Sequence, residues 1–144
     1  MSSKQQYYFE DMQEGMEASF SKTVTEADLV LFAGVTGDLN PVHIDAEFAA
    51  NSMFKQRIAH GMLSAGFIST VFGTRLPGPG CIYVSQNLRF RAPVFIGDTV
   101  TARVKVTGLK PEKNMVLFET ACSVGGKDVV TGDAVIMVPR REQA

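Results

Sequence analysis

The period of the apolar residues changes partway along the chain. Ala18, Phe20 and Val24 mark a short strand over Glu17 to Val24. Leu29, Phe32 and Ala33 then fall at i, i+3 and i+4, the stripe of a helix. Thr25 precedes that stripe with Asp28 three residues on, a Glu-to-Asp variant of the capping box, and Gly37 is placed to stop the helix. Pro41 is expected in a loop, and Asp45 is expected to cap a second short helix, Ala46 to Asn51. His60 to Gly73 follows without one charged side chain, so this helix requires burial on most sides. Its small residues Gly61, Ala65 and Gly66 would let a backbone or a ligand come close. Leu76-Pro77-Gly78-Pro79-Gly80 breaks the chain.

The second half alternates with period two. Ile82, Val84, Gln86, Leu88 and Phe90 are predicted on one face, and Tyr83, Ser85, Asn87, Arg89 and Arg91 on the other. Val100 to Thr107, Met115 to Val124 and Val129 to Val138 predict three more strands. The order is strand, helices, then four antiparallel strands. The fold class is therefore α+β, a curved antiparallel sheet wrapped around one apolar helix, with residues 1–144 forming one domain. The strand from Cys81 to Val94 would run roughly 45 Å, more than one small domain uses. Pairing of its edge with a second copy would use the excess and predicts a homodimer.

Composition narrows the class. The 144 residues are 45% hydrophobic and 20% charged with net charge −1, which excludes a disordered chain. No basic block points to nucleic acid. Met62 to Phe72 is too short to span a bilayer, and MSSKQQYYFED has no apolar core of a signal peptide, so a cytoplasmic location is expected. Cys81 and Cys122 lack metal-like spacing and read as small apolar strand residues. No metal and no cofactor are expected, and no glycine-rich phosphate loop is present.

The densest polar cluster is Gly37-Asp38-Leu39-Asn40-Pro41-Val42-His43-Ile44-Asp45. A turn at Asn40-Pro41 would let Asp38 and His43 face one point, and a carboxylate beside an imidazole around one water makes an acid/base site. Spacing alone leaves a second possibility equally open, in which Asp38 caps a turn and His43 is a packed loop residue.

Asp38-Leu39-Asn40-Pro41-Val42-His43 resembles the D-x-N-P-x-H motif of the MaoC-like dehydratase family. Ala59 to Leu63, Leu76 to Tyr83 and Phe90 to Asp98 are similar to three further landmarks of that family, in the same order. The single-domain (R)-specific enoyl-CoA hydratases are the members it resembles most. The resemblance implies a hot-dog fold, a dimer, and reversible syn hydration of a trans-2-enoyl-CoA, an activity that serves fatty acid metabolism and polyhydroxyalkanoate precursor supply. It implies that Asp38 and His43 activate the water, with Asp38 the favoured base, and that the Gly61 N–H holds the thioester oxygen. Ser69 and Asn40 would support the pair. Ser69 has a plain alternative as a helix serine bonding its own backbone. His60 is expected to be structural, at the helix start or on the tunnel wall. Arg89 and Arg91 are candidates for the CoA phosphates or for a solvated strand face. Phe67, Ile68 and Phe72 are candidates for the tunnel wall.

Three rivals remain. One is a 3-hydroxyacyl-carrier-protein dehydratase, another a hot-dog acyl-CoA thioesterase, and the last a non-catalytic acyl-CoA binder. Many thioesterases and carrier-protein dehydratases of this fold carry a carboxylate on the central helix. His60 to Thr74 has none.

Overall fold

The computed structural model describes residues 6–141, so residues 1–5 of the N-terminal stretch considered above lie outside the described residues. In chain order the elements are β1 (Glu17–Thr23), α1 (Glu26–Thr36), α2 (Pro41–Ile44), α3 (Ala46–Ala50), α4 (Gly61–Thr74), β2 (Ile82–Phe90), β3 (Thr99–Lys110), β4 (Met115–Val124) and β5 (Lys127–Met137). The strands form one antiparallel sheet in the order β1-β3-β4-β5-β2. α4 lies across its inner face against β1, β3, β4 and β5. This is the expected α+β hot-dog arrangement. Among the described residues no helix is long and apolar enough to cross a membrane.

The core is the alternating inner face of the strands packed on one side of α4. Val100, Ala102, Val104, Val106, Val116, Phe118 and Ile136 are each at most 1% exposed, as are Ile68, Val71 and Phe72 of the helix. α4 is less enclosed than a charge-free helix predicts. Met62, Gly66, Ser69 and Gly73 form an exposed second face. Phe67, Ile68 and Phe72 point the other way, into the core, and so are not groove walls.

The capping box on α1 forms as predicted. Thr25 Oγ1 accepts from the Asp28 N–H at 3.2 Å, and Asp28 Oδ2 accepts from the Thr25 N–H at 2.9 Å. Gly37 ends the helix with φ 81°, a conformation that favours glycine. Pro41 departs from expectation: it opens the short helix α2 rather than lying in a loop, because the first helical position needs no N–H donor. Asp45 caps α3 through bonds from Glu47 and Phe48.

The strand predicted over Cys81 to Val94 is shorter. β2 has 9 residues and stops at Phe90, so its length no longer argues for a second copy. A bulge between Tyr83 and Ser85 also shifts its register. Tyr83 pairs with Ile136 and packs edge-on to Phe72 at 5.3 Å, so it joins Gln86 and Leu88 on the inner face rather than Arg89 and Arg91 on the outer. Burial and the nearby Cys122 push the Tyr83 hydroxyl up to about 12.

β2 is held tightly to β5 at Gly132. A Cβ there would sit 1.9 Å from the Asn87 carbonyl oxygen and 2.9 Å from its carbon. Backbone cannot yield as a side-chain tip does, so Gly132→Ala should lower stability by about 1–3 kcal/mol or more, seen as a reduced urea midpoint. A midpoint equal to wild type would show that β2 is free to shift.

Candidate active site

The site is built from the loop between α1 and α4. Past Gly37, Asp38 Oδ1 accepts from the Asn40 N–H at 3.2 Å, and Asn40 Oδ1 accepts from the Val42 N–H at 3.2 Å to cap α2. The turn cap and the approach of His43 to Asp38 therefore occur together. Asp38 does cap a turn, and that same turn carries His43 round to it. One carboxylate oxygen of Asp38 and one ring nitrogen each from His43 and His60 lie within 4.8 Å of one another.

His43 is held by main-chain contacts. Its Nδ1 is 2.7 Å from the Ile58 carbonyl. A carbonyl only accepts, so Nδ1 carries the proton and Nε2 is left as an acceptor. The His43 carbonyl in turn accepts from Arg57 Nε at 2.7 Å, and Arg57 pairs with Glu26 at the start of α1. His43 is 8% exposed, and that burial pushes its pKa below the ordinary 6.5. The Ile58 carbonyl opposes the shift, the neighbouring His60 ring adds to it, and the Asp38 carboxylate opposes it.

His60, expected to be structural, belongs to the cluster. It is 2% exposed, its Nε2 is 3.1 Å from the Asp38 carbonyl, and its ring stacks on His43 with centroids 3.9 Å apart. Gly61 follows as the first residue of α4, so its N–H has no acceptor within the helix and sits at the positive end of the helix dipole. A Cβ at Gly61 would lie 2.6 Å from Phe90 Cε1.

Two apolar grooves meet here. One of about 560 Å³ is lined by His43, His60, Gly61, Phe54, Phe90 and Arg91. The other, about 640 Å³, is lined by Asp38, Ala65, Gly66, Ser69, Tyr83 and Leu88. Met62 borders both and is 56% exposed.

The structure thus brings Asp38, His43 and Gly61 together, with Asn40 shaping the turn. Ser69 shares the groove of Asp38, but among the described residues no hydrogen bond joins it to Asp38 or His43. Arg91 stands at the first groove and donates from Nε to Thr131 Oγ1 at 2.7 Å. Arg89 does not line that groove; it lies on an outer groove beside Asn87 and Asp133, which Arg91 also borders. Sequence reasoning missed Arg57 and the Ile58 carbonyl, and it assigned His60 no part in the cluster. Contacts made to main-chain oxygens leave no side-chain pattern to find.

Asp38, His43 and His60 are also a possible metal-ligand set, and their geometry opposes it. One ion at about 2.0–2.1 Å from each nitrogen must lie in both ring planes. Rings stacked at 3.9 Å and inclined by only 29° keep those planes apart over that reach.

A family model described as a MaoC like domain matches residues 9–127. The chain is 62% identical over 135 residues to an (R)-specific enoyl-CoA hydratase of Rhodospirillum rubrum, covering 94% of each chain. It is similar to the unliganded R-hydratase of Pseudomonas aeruginosa, with TM-score 0.90, 44% identity, and 96% and 92% of the two chains covered. It is likewise similar to an (R)-hydratase of Aeromonas caviae involved in PHA biosynthesis, with TM-score 0.86, 43% identity, and 89% and 98% covered.

The depressed pKa of His43 has a stability consequence. The unfolded chain takes up this proton near 6.5 and the folded chain only lower. The ring's contribution is therefore present above about pH 6.5 and is lost as pH falls from there through the folded pKa. A proton NMR titration should place the His43 midpoint below 6.5, with the melting temperature declining over the same acid range. A midpoint at or above 6.5 would contradict the buried, acceptor state of the ring.

Proposed function

The chain belongs to the MaoC-like domain family, and we propose that it is an (R)-specific enoyl-CoA hydratase, adding water reversibly and syn across the C2–C3 bond of a trans-2-enoyl-CoA. One observation carries the site assignment: a carboxylate oxygen of Asp38 and a ring nitrogen of His43 lie within 4.8 Å of each other beside the free N-terminus of α4. We read the whole chain as one such domain, supported by a single sheet and a single core over the described residues.

The chemistry follows from the charges. A water between Asp38 and His43 Nε2 donates to both. As its oxygen attacks C3, one proton passes to the pair and negative charge builds on the thioester oxygen. The Gly61 N–H, at the positive end of α4, meets that charge. The pair then returns a proton to C2, so one water is added and the site is restored. Asp38 is the favoured base, with His43 orienting the water. The same steps reversed dehydrate the 3-hydroxyacyl thioester.

The grooves suit the two ends of such a substrate. Arg91 beside the first groove supports a phosphate-bearing pantetheine there, since guanidinium matches phosphate geometry. Arg89 lines the outer groove that Arg91 also borders, and would meet a CoA phosphate placed there. The second groove carries no charge but Asp38 and suits an acyl chain. The lack of a carboxylate anywhere on α4 speaks against a thioesterase. A cytoplasmic role in supplying (R)-3-hydroxyacyl-CoA for polyhydroxyalkanoate fits this activity; the similar Aeromonas caviae (R)-hydratase is involved in PHA biosynthesis.

The assignment includes a homodimer, supported by exposure rather than strand length. β2 is an edge strand whose Ile82, Val84 and Phe90 are 57%, 45% and 54% exposed, and the open face of α4 lies beside it. Val84→Lys should shift the protein toward monomer in sedimentation velocity. A wild type that sediments as a monomer at all concentrations would end the dimer.

Crotonyl-CoA tests the activity directly. Hydration removes the conjugated enoyl absorbance without releasing thiol, hydrolysis releases thiol, and a mere binder does neither. An acyl-carrier-protein thioester assayed in parallel separates the carriers. Asp38→Asn and His43→Ala should each lower kcat by about 10²–10⁴-fold with the fold intact. Gly61→Ala should also impair turnover, by forcing Phe90 to move as well as by crowding the thioester. Near wild-type turnover in either pair variant would refute the assigned acid/base site.

A further inference from the structure

We propose that His60 is a positioning residue for hydration, setting the Asp38 loop and the His43 ring in register with the N-terminus of α4. The proposal rests on the hydratase assignment above. His60 touches all three parts of that machinery. Its Nε2–H donates to the Asp38 carbonyl at 3.1 Å, across 22 residues of chain. Its ring lies between His43, at 3.9 Å between centroids, and Phe32 of α1, at 4.7 Å. Its own main chain leads directly into Gly61, for which it is the N-cap residue, and it makes no capping bond of its own.

Packing alone does not account for a histidine here. The ring is 2% exposed, and its Nδ1 is the one buried side-chain polar atom without a partner among the described residues. Such an orphan opposes folding. A Phe would fill the same space between Phe32 and His43 with no orphan atom. What Phe lacks is the donor to the Asp38 carbonyl. That bond ties the base-bearing loop to the helix whose first N–H faces the thioester. Turnover depends on the distance between those two, because acid/base and electrostatic assistance require the acceptors and the donor to be aligned on one substrate.

Two variants and one spectrum test this. His60→Phe keeps the stack and removes the donor; His60→Gln places an amide donor near the same carbonyl. Against crotonyl-CoA, His60→Phe should lower kcat by about 10–100-fold with KM unchanged, and His60→Gln should recover part of that loss. Unchanged kcat, a change in KM alone, or Gln performing no better than Phe would each overturn the proposal. The wild type gives a test that needs no variant to fold. With only 2 histidines in the chain, a long-range proton–nitrogen spectrum resolves both rings. It should show His60 protonated at Nε2 and His43 at Nδ1; a His60 ring protonated at Nδ1 would overturn the proposal. If wild type fails to hydrate crotonyl-CoA, the hydratase assignment falls, and the spectrum still judges the His60 geometry by itself.

Discussion

A helix of 14 residues without a charged side chain has to find an apolar surface, and that demand organises the molecule. The inner face of the curved sheet supplies that surface. Once α4 lies on it, the helix direction is set by Ile68, Val71 and Phe72 packing into the valine-rich strands. The position of its N-terminus is then set as well. Gly61 stands at the N-terminal end of a helix fixed by its buried face, which suits the hydrogen-bond donor for developing charge that the proposed reaction would need. The core and the proposed oxyanion donor thus belong to one element.

The loop that brings Asp38 and His43, the proposed acid/base pair, to that end is held differently. Almost nothing on it is anchored by side chain to side chain. His43 donates to the Ile58 carbonyl, Arg57 to the His43 carbonyl, and His60 to the Asp38 carbonyl. The Ile58 N–H donates back to the Val42 carbonyl, and Ile58 bridges to Phe95. These bonds lie in or beside buried space, where each is stronger and costlier to lose than on the surface. The loop has no regular ladder of its own beyond the single turns of α2 and α3. Main-chain carbonyls taken up by buried rings and one guanidinium stand in for that ladder.

This division explains what the sequence disclosed and what it hid. Period and caps are side-chain properties, so the Thr25–Asp28 box, the Gly37 stop, the apolar α4 and the alternating β3 are legible in the order of the residues. The bulge at Tyr83–Ser85 is not, because one extra residue in an edge strand leaves its alternation looking regular while moving Tyr83 to the other face. The end of β2 at Phe90 is hidden by apolar residues that continue past it to Val94. At the site, Asp38 and His43 are legible as residue types, but spacing does not separate a turn cap from a catalytic acid/base group. In the structure Asp38 uses one oxygen for the Asn40 N–H and also lies in the cluster with His43 and His60. His60 escapes notice because a second histidine beside a helix start has no pattern of its own; its part emerges only from the stack with His43.

The placement of the pair on a loop, rather than on α4, has a chemical consequence. A carboxylate on the first turns of α4 would sit in the positive field of the same N-terminus that Gly61 offers to the thioester, and would partly neutralise it. Keeping α4 free of acid preserves that field for the oxygen that becomes negative. In the proposed reaction the opposing pole would come from Asp38, on an independent element. His43, buried and held with its proton on Nδ1, is kept as an acceptor at neutral pH rather than as a cation that would hold water by donation. The nearby Asp38 carboxylate raises the proton affinity of His43, so in the proposed reaction a proton taken from water would belong to the pair rather than to either residue. The electrophilic and proton-handling halves can then each be set without weakening the other, which is what a reaction that must run in both directions requires.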